Sequence, residues 1–210
     1  MKIKVNIQIF AIIIILLLTK QIEMYSWLML FAFIHEIAHM CAGMALKLKP
    51  EMLEIEPFGV GIVFESFENT EKNKIIISLA GPLINLLIAI TFMFIKINPQ
   101  ELIINANLLL AIFNLIPIYP LDGGRILKAI IKIKDKKGIT EDVLNKISNI
   151  LMILLTAGSS ILILIYKNIG LLLIIAYLWI IVIKENNKYT LKKKINKLLE
   201  KQKNTWHFIN

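Results

Sequence analysis

Cysteine is almost absent from the 210-residue chain, Cys41 being the single copy. No internal disulfide can form, which excludes the oxidised framework of a small secreted protein. Charge is scarce too: 19% of residues are charged against 57% hydrophobic, where a water-soluble domain carries about 25% and about 45–50%. That deficit excludes an ordinary soluble globule, and the apolar excess excludes intrinsic disorder. Acids are the minority sign, 15 against 24 basic residues, for a formal net charge of +9. The basic residues sit in blocks between apolar runs, the pattern of juxtamembrane lysine rather than of a phosphate-binding face, so no nucleic-acid partner is expected. No internal repeat or separate soluble domain is evident.

What fills the chain is hydrocarbon. A helix needs about 20 mainly apolar residues to cross a bilayer, and candidate spans run from about residues 5–19, 24–46, 75–95, 102–119, 147–166 and 170–183. With the N-terminus cytosolic, all of the 24 basic residues but Lys20, Lys96 and Lys167 fall on the cytosolic side. The positive-inside rule therefore favours six spans with both termini in the cytosol. No small-residue cleavage site follows Leu18, so the first span is expected to be retained rather than removed as a signal peptide. Between the second and third spans, Leu53 and Ile55, then Val60, Ile62 and Phe64, alternate with other residues, and Gly59 and Gly61 supply corners. That spacing predicts a short β-hairpin. The expected fold is an all-α polytopic membrane protein of about six transmembrane helices with a short β-hairpin at the cytosolic membrane face. Residues 1–184 form the membrane domain, and 185–210 form a basic cytosolic tail on the leaflet.

Ionisable side chains inside a span are costly and mark function. The second span contains His35-Glu36-Ile37-Ala38-His39, a match to H-E-x-x-H. Its two histidines lie one helical turn apart on one face and can ligate the same metal, while Glu36 beside them can take a proton from water. A catalytic zinc ordinarily has three protein ligands and an open position. Glu51, Glu54, Glu56, Glu65, Glu68 and Glu71 sit in the hairpin region and read as solvated. Asp135, Glu141 and Asp142 lie in a lysine-rich linker, and His207 reads as interfacial. Asp122 differs. It closes the fourth span in Asn114-Leu-Ile-Pro117-Ile-Tyr-Pro120-Leu-Asp122-Gly123-Gly124, where the prolines break the helix and the glycines free the backbone. By spacing alone it is either a third ligand or a solvated aspartate in a helix-terminating turn. The second and fourth spans run in the same direction, which puts His35, His39 and Asp122 in the cytosolic half. Cys41, about 200° around the helix from His39, points away from the metal and reads as a small apolar filler. Asn85, Asn105 and Asn107 read as helix-bridging hydrogen bonders, with Asn85 facing the cavity.

Together these pieces resemble the site-2 intramembrane zinc metalloproteases of the M50 type. The motifs are His35-Glu36-Ile37-Ala38-His39, Pro57-Phe58-Gly59 in the hairpin, Ala80-Gly81-Pro82 in the third span, and the 114–125 run ending in Asp122-Gly123-Gly124-Arg125. They stand in family order across about residues 25–130. The span count and the basic tail are similar to the sporulation branch, which processes a sigma-factor precursor. The resemblance implies one Zn2+ per chain on His35, His39 and Asp122, with Glu36 as catalytic base. It implies a substrate site that includes Asn114, Pro120, Phe58 and Gly59, and a membrane-associated protein substrate. Inhibitory membrane proteins and a place in the mother-cell membrane around the forespore are implied as well. Two departures stand out. The hairpin reads Phe58-Gly59-Val60-Gly61 where relatives often have Gly-Gly after the aromatic. The chain ends at Asn210 where the sporulation members usually carry a C-terminal CBS domain, so regulation through such a domain is not expected. The other roles in view are cleavage of an anti-sigma factor or of signal peptides and, in a different class, a membrane metal carrier. A carrier calls for a second site or an acidic path, and neither is read.

Overall fold

The computed structural model describes residues 2–5, 22–56, 59–64, 70–134, 140–166 and 169–209. In chain order the elements are β1 (Lys2–Val5), α1 (Ile22–Ala45), β2 (Pro50–Glu56), β3 (Gly59–Phe64), α2 (Glu71–Phe94), α3 (Gln100–Leu115), α4 (Asp122–Lys134), α5 (Thr140–Tyr166) and α6 (Ile169–Ile209). They form two compact units, one of residues 1–117 with 121–136 and the other of 118–120 with 137–210.

The first unit is built on helices that are amphipathic in the inverted sense. On α2 the buried side carries Ile77 and then only small or polar residues and a proline, Ser78, Gly81, Pro82, Asn85 and Ala89, whereas Leu83, Leu87, Ile90 and Phe94 stand exposed at successive turns of the other side. Small and polar residues face protein and large apolar ones face outward, as expected where lipid is the solvent and close helix approach replaces the hydrophobic drive. A soluble protein would not leave so continuous an apolar face uncovered. Tyr25–Ala45, Glu71–Phe94 and Asp142–Ser160 are long and apolar enough to cross a membrane, and Gln100–Leu115 is a shorter apolar helix. The chain is an integral membrane protein. Phe31 of α1 packs on Ile103 and Ala106 of α3, framed by Trp27, Ile88, Phe92 and Leu110, so α1, α2 and α3 share one core.

The expected hairpin is present, β2 pairing antiparallel with β3 through Leu53↔Ile62 and Ile55↔Val60. A third strand was not expected. β1 adds in parallel to β2, Ile3 opposite Leu53 and Val5 opposite Ile55, so Lys2–Val5 is strand where the sequence suggests a polar flank running into a span. The remainder of that first span lies outside the described residues. The sheet sits against α1, with the Phe64 ring filling the space over Gly43, where a Cβ would collide with it.

Other boundaries shift as well. The fourth span does not reach residue 119: α3 stops at Leu115, before Pro117. Asp122 therefore does not close that span but opens α4, a separate helix with Lys128, Lys132 and Lys134 on it. Part of the expected lysine-rich linker is the start of α5, at Thr140. The expected break at 184/185 falls inside α6.

In the second unit α5 and α6 pack as an antiparallel pair. Leu144, Ser148 and Met152 face inward from one helix and Ile175, Leu178 and Val182 from the other, all buried. A polar ladder with seven-residue steps runs beside this seam. Trp179 Nε1 donates to Thr156 Oγ1 at 2.9 Å, Asn186 Nδ2 to Asn149 Oδ1 at 2.9 Å, and Lys193 Nζ to Asp142 at 3.0 Å. The seven-residue step is the coiled-coil repeat, and the ladder fixes the register of the pair. In the same unit Ser148 Oγ accepts the Tyr119 backbone N–H at 3.1 Å.

Candidate metal centre

His35 and His39 are placed by the helical repeat of α1, one turn apart, with their rings edge-on at 86° and 4.6 Å between centroids. Both are almost fully buried. Asp122 reaches them from the first turn of α4. Its Oδ2 lies 3.0 Å from His35 Nε2 and 3.1 Å from His39 Nε2. Among the described residues these form the one group of three or more such side chains able to hold a metal, with ligand atoms all within 4.8 Å of one another.

Each imidazole is held from behind. His39 Nδ1 lies 2.6 Å from the Ile77 carbonyl oxygen, which can only accept, so Nδ1 carries the proton. His35 Nδ1 lies 3.1 Å from Asn85 Oδ1, and it donates there in the same way. With both protons on Nδ1, each neutral ring turns its Nε2 lone pair toward the carboxylate oxygen of Asp122. Three acceptors facing one another at about 3 Å repel unless a proton or a metal ion lies between them. A tetrahedral zinc with ligand bonds of about 2.0–2.1 Å sets its ligands about 3.3 Å apart, close to the two distances observed. Orienting each histidine through its far nitrogen is also how proteins raise ligand basicity. The donor set fits zinc.

Two glycines make the approach possible. A Cβ at Gly81 would lie against the Nε2 atoms of both histidines, at 2.5 Å from that of His39. Only glycine leaves room for the imidazoles against α2. One residue on, Pro82 has no N–H for the Ser78 carbonyl and loosens the turn that presents Ile77 O. Gly123 is seated on the end of α3, where a Cβ would meet the Leu115 and Ile116 carbonyl oxygens. That contact sets Asp122 at the histidines.

Glu36, half-buried, is next to His35 in α1. Arg125 is exposed on the first turn of α4, three residues beyond Asp122.

The sequence pattern brings His35, His39 and Asp122 together as expected, and Asn85 does face them. Other expectations are placed differently. Cys41 is exposed rather than filling a core gap. Asn105 is exposed and Asn107, though buried, donates to Ile103 O of its own helix at 2.8 Å, so neither bridges helices here. Asn114 is half-buried near the end of α3, its Nδ2 donating to Leu110 O at 3.0 Å. Gly59 opens β3 opposite Glu56, Phe58 lies outside the described residues, and Pro120 belongs to the second unit. Of the acids set aside, Glu71 pairs with Lys74 at 2.7 Å and Lys132 at 3.7 Å, Asp142 holds Lys193, and Glu65, Glu68 and Asp135 lie outside the described residues. The Ile77 carbonyl carries no pattern that would single it out, and Arg125 stands in a motif whose sequence does not say what the guanidinium does. Gly81 stands in a motif whose sequence does not say what the glycine must clear.

Residues 97–158 match Peptidase family M50. Zinc metalloprotease MJ0392 of Methanocaldococcus jannaschii is 34% identical over 110 residues, covering 48% of this chain and 32% of that protein. Stage IV sporulation protein FB of Bacillus subtilis is 29% identical over 118 residues, covering 53% of this chain and 41% of that protein. The chain thus spans well under half the length of these curated relatives. Among solved structures, a site-2 protease from Methanocaldococcus jannaschii superposes with a TM-score of 0.68 over 87% of this chain and 89% of that one, at 23% identity, which shows a common fold. With the M50 match running across Asp122, relatives that are zinc metalloproteases, and a buried donor set suited to zinc, the chain is similar to the M50-type site-2 proteases.

Proposed function

We propose that the chain is an intramembrane zinc endopeptidase that hydrolyses a peptide bond of a membrane-associated protein near the cytosolic face. The convergence of two imidazole lone pairs and one carboxylate oxygen, with a second carboxylate beside them, carries this reading. Zinc held by His35, His39 and Asp122 would polarise the scissile carbonyl and acidify a water. Glu36 takes the proton from the attacking water and returns it to the departing amine as the C–N bond breaks. Asn85 and the Ile77 carbonyl hold the two histidines in the tautomer that leaves Nε2 free. Asn114, near the end of α3, lines the substrate site.

A helical substrate hides its carbonyl, so the cleaved segment must be extended. β1 occupies one edge of β2, and the outer edge of β3 is unpaired among the described residues. We assign strand addition to that edge, and Phe58 and Gly59 to the substrate site. The substrate is a sporulation sigma-factor precursor, in keeping with the match to Stage IV sporulation protein FB. The enzyme then works in the mother-cell membrane around the forespore with both termini cytosolic, under inhibitory membrane proteins. The distribution of basic residues supports that orientation.

Co-expression with a sigma-factor precursor in a bacterial host tests this reading, comparing wild type with Glu36→Gln and Asp122→Ala. Cleavage by wild type alone is expected. Cleavage of anti-sigma factors or signal peptides instead would leave the protease and change its substrate. Persistence of cleavage in Glu36→Gln would overturn the mechanism and turn attention to a metal carrier.

A further inference from the structure

Of the chain's 24 basic residues, Arg125 is the one arginine. Every other cationic position, including Lys128, Lys132 and Lys134 on the same helix, uses lysine. Where only a positive charge is wanted, this chain uses an ammonium. A guanidinium differs by its planar fork, which binds two oxygens of one acceptor at once. That single fork stands one helical turn beyond Asp122, on the first turn of α4. Among the described residues it forms no ion pair with Glu36 or Asp122, and its side chain is exposed. Among the described residues its side-chain donors have no carboxylate partner. The net charge around the centre points the same way. Two acids, Asp122 and Glu36, are matched by a divalent cation, so Arg125 adds an unbalanced positive charge at the exposed side.

We infer that Arg125 is a specificity residue that receives the carboxylate of an aspartate or glutamate lying within a few residues of the scissile bond. The inference rests on the endopeptidase reading and adds a substrate class to it: segments with an acidic residue beside the cleaved bond. A backbone carbonyl offers one oxygen, and a lysine would serve it as well. A carboxylate offers the planar pair that the fork fits.

The test is cleavage-site profiling. The zinc-loaded full chain in detergent is given a library of peptides based on apolar membrane segments, in which each position in turn is Glu, Gln, Asp or Asn. Cleaved bonds are read by mass spectrometry. Wild type is expected to favour Glu over Gln, or Asp over Asn, by about tenfold or more at one position flanking the cut, as for a charge-assisted hydrogen bond. In Arg125→Gln that ratio falls toward one, and in Arg125→Lys it falls part of the way. Zinc content measured on the same samples shows whether the metal centre survives each change. A wild-type profile with no acidic preference, or a preference that persists in Arg125→Gln, would overturn the inference while leaving the protease intact. Absence of any cleavage by zinc-loaded wild type would instead count against the endopeptidase reading.

Discussion

Replacing Gly81 by alanine adds one methyl group at the most crowded point of the centre. The new Cβ would stand 2.5 Å from His39 Nε2 and against Nε2 of His35 as well. Ordinary contact begins at 3.4 Å, so at least one ring must retreat by about 0.9 Å. Metal–ligand bonds tolerate about 0.2 Å. Neither ring can give without loss, because each is tied behind by its Nδ1, His35 to Asn85 and His39 to the Ile77 carbonyl. Loss of a ligand-orienting partner alone costs about 10- to 100-fold in metal affinity. Displacing the ligand itself is expected to cost about 100-fold or more. Alanine is the better helix former by about 0.5–1 kcal/mol, so failure of α2 to fold does not explain a loss of zinc. The assay is zinc content of purified protein by mass spectrometry, with affinity from chelator competition and helicity from circular dichroism. Wild-type zinc affinity in a helical Gly81→Ala protein would refute the placement of the two histidines against α2.

Four further outcomes follow from the same geometry. Asp122→Ala is expected to abolish cleavage and to lower zinc affinity, whereas Glu36→Gln abolishes cleavage and keeps zinc; chelator competition beside the cleavage assay separates the two. Asn85→Ala frees the His35 tautomer and is expected to weaken zinc binding by about 10- to 100-fold, with His39 still anchored by Ile77; full affinity in that variant would remove Asn85 from the centre. Proline at alternate positions of 59–64 removes main-chain donors from β3 and is expected to slow cleavage without releasing zinc, and unchanged cleavage would exclude strand addition there. In the second unit, the hydrogen bond to Asp142 holds the Tyr189 hydroxyl above its ordinary 10.0. A folded-state value above the unfolded one means that this contact stabilises below the tyrosine range and is lost as pH rises through it. Tyrosinate absorbance should therefore lose a late-titrating component in Tyr189→Phe.

The candidate metal ligands were legible because a helix repeats every turn. Two histidines four apart need no tertiary information to share a face, and the aspartate was found because two prolines and two glycines surround it. What the local pattern could not supply is how Asp122 arrives. A carboxylate ending a span and one opening a new helix have the same neighbours in sequence. Only the seating of Gly123 on the last carbonyls of α3 decides between them. The strand at Lys2–Val5 escaped for a related reason. Four residues of alternating character beside a long apolar run carry too little periodicity to stand apart from it.

The buried face of α2 was the least legible element, and the cause lies in the solvent. In water, burial is read from apolar residues, and Leu83, Leu87, Ile90 and Phe94 would be taken as the core. Here they are the exposed face, while the protein-facing side, Ile77 apart, is Ser78, Gly81, Pro82, Asn85 and Ala89. Lipid makes no demand that large apolar groups be hidden, so the inner face is free to carry what the centre requires. It supplies a glycine where the rings need room, an amide where a tautomer must be held, and a proline where a carbonyl must be presented. A small or polar residue in such a helix therefore marks the functional side, and Asn85, fully buried with its Nδ2 lacking a partner among the described residues, is the position on α2 where that reading can be tested most directly. Asn85→Leu would suit a greasy core and ruin a tautomer clamp. If burial of apolar volume governed this face, the variant would keep zinc and gain stability. The geometry instead requires that it lose zinc while α2 remains helical.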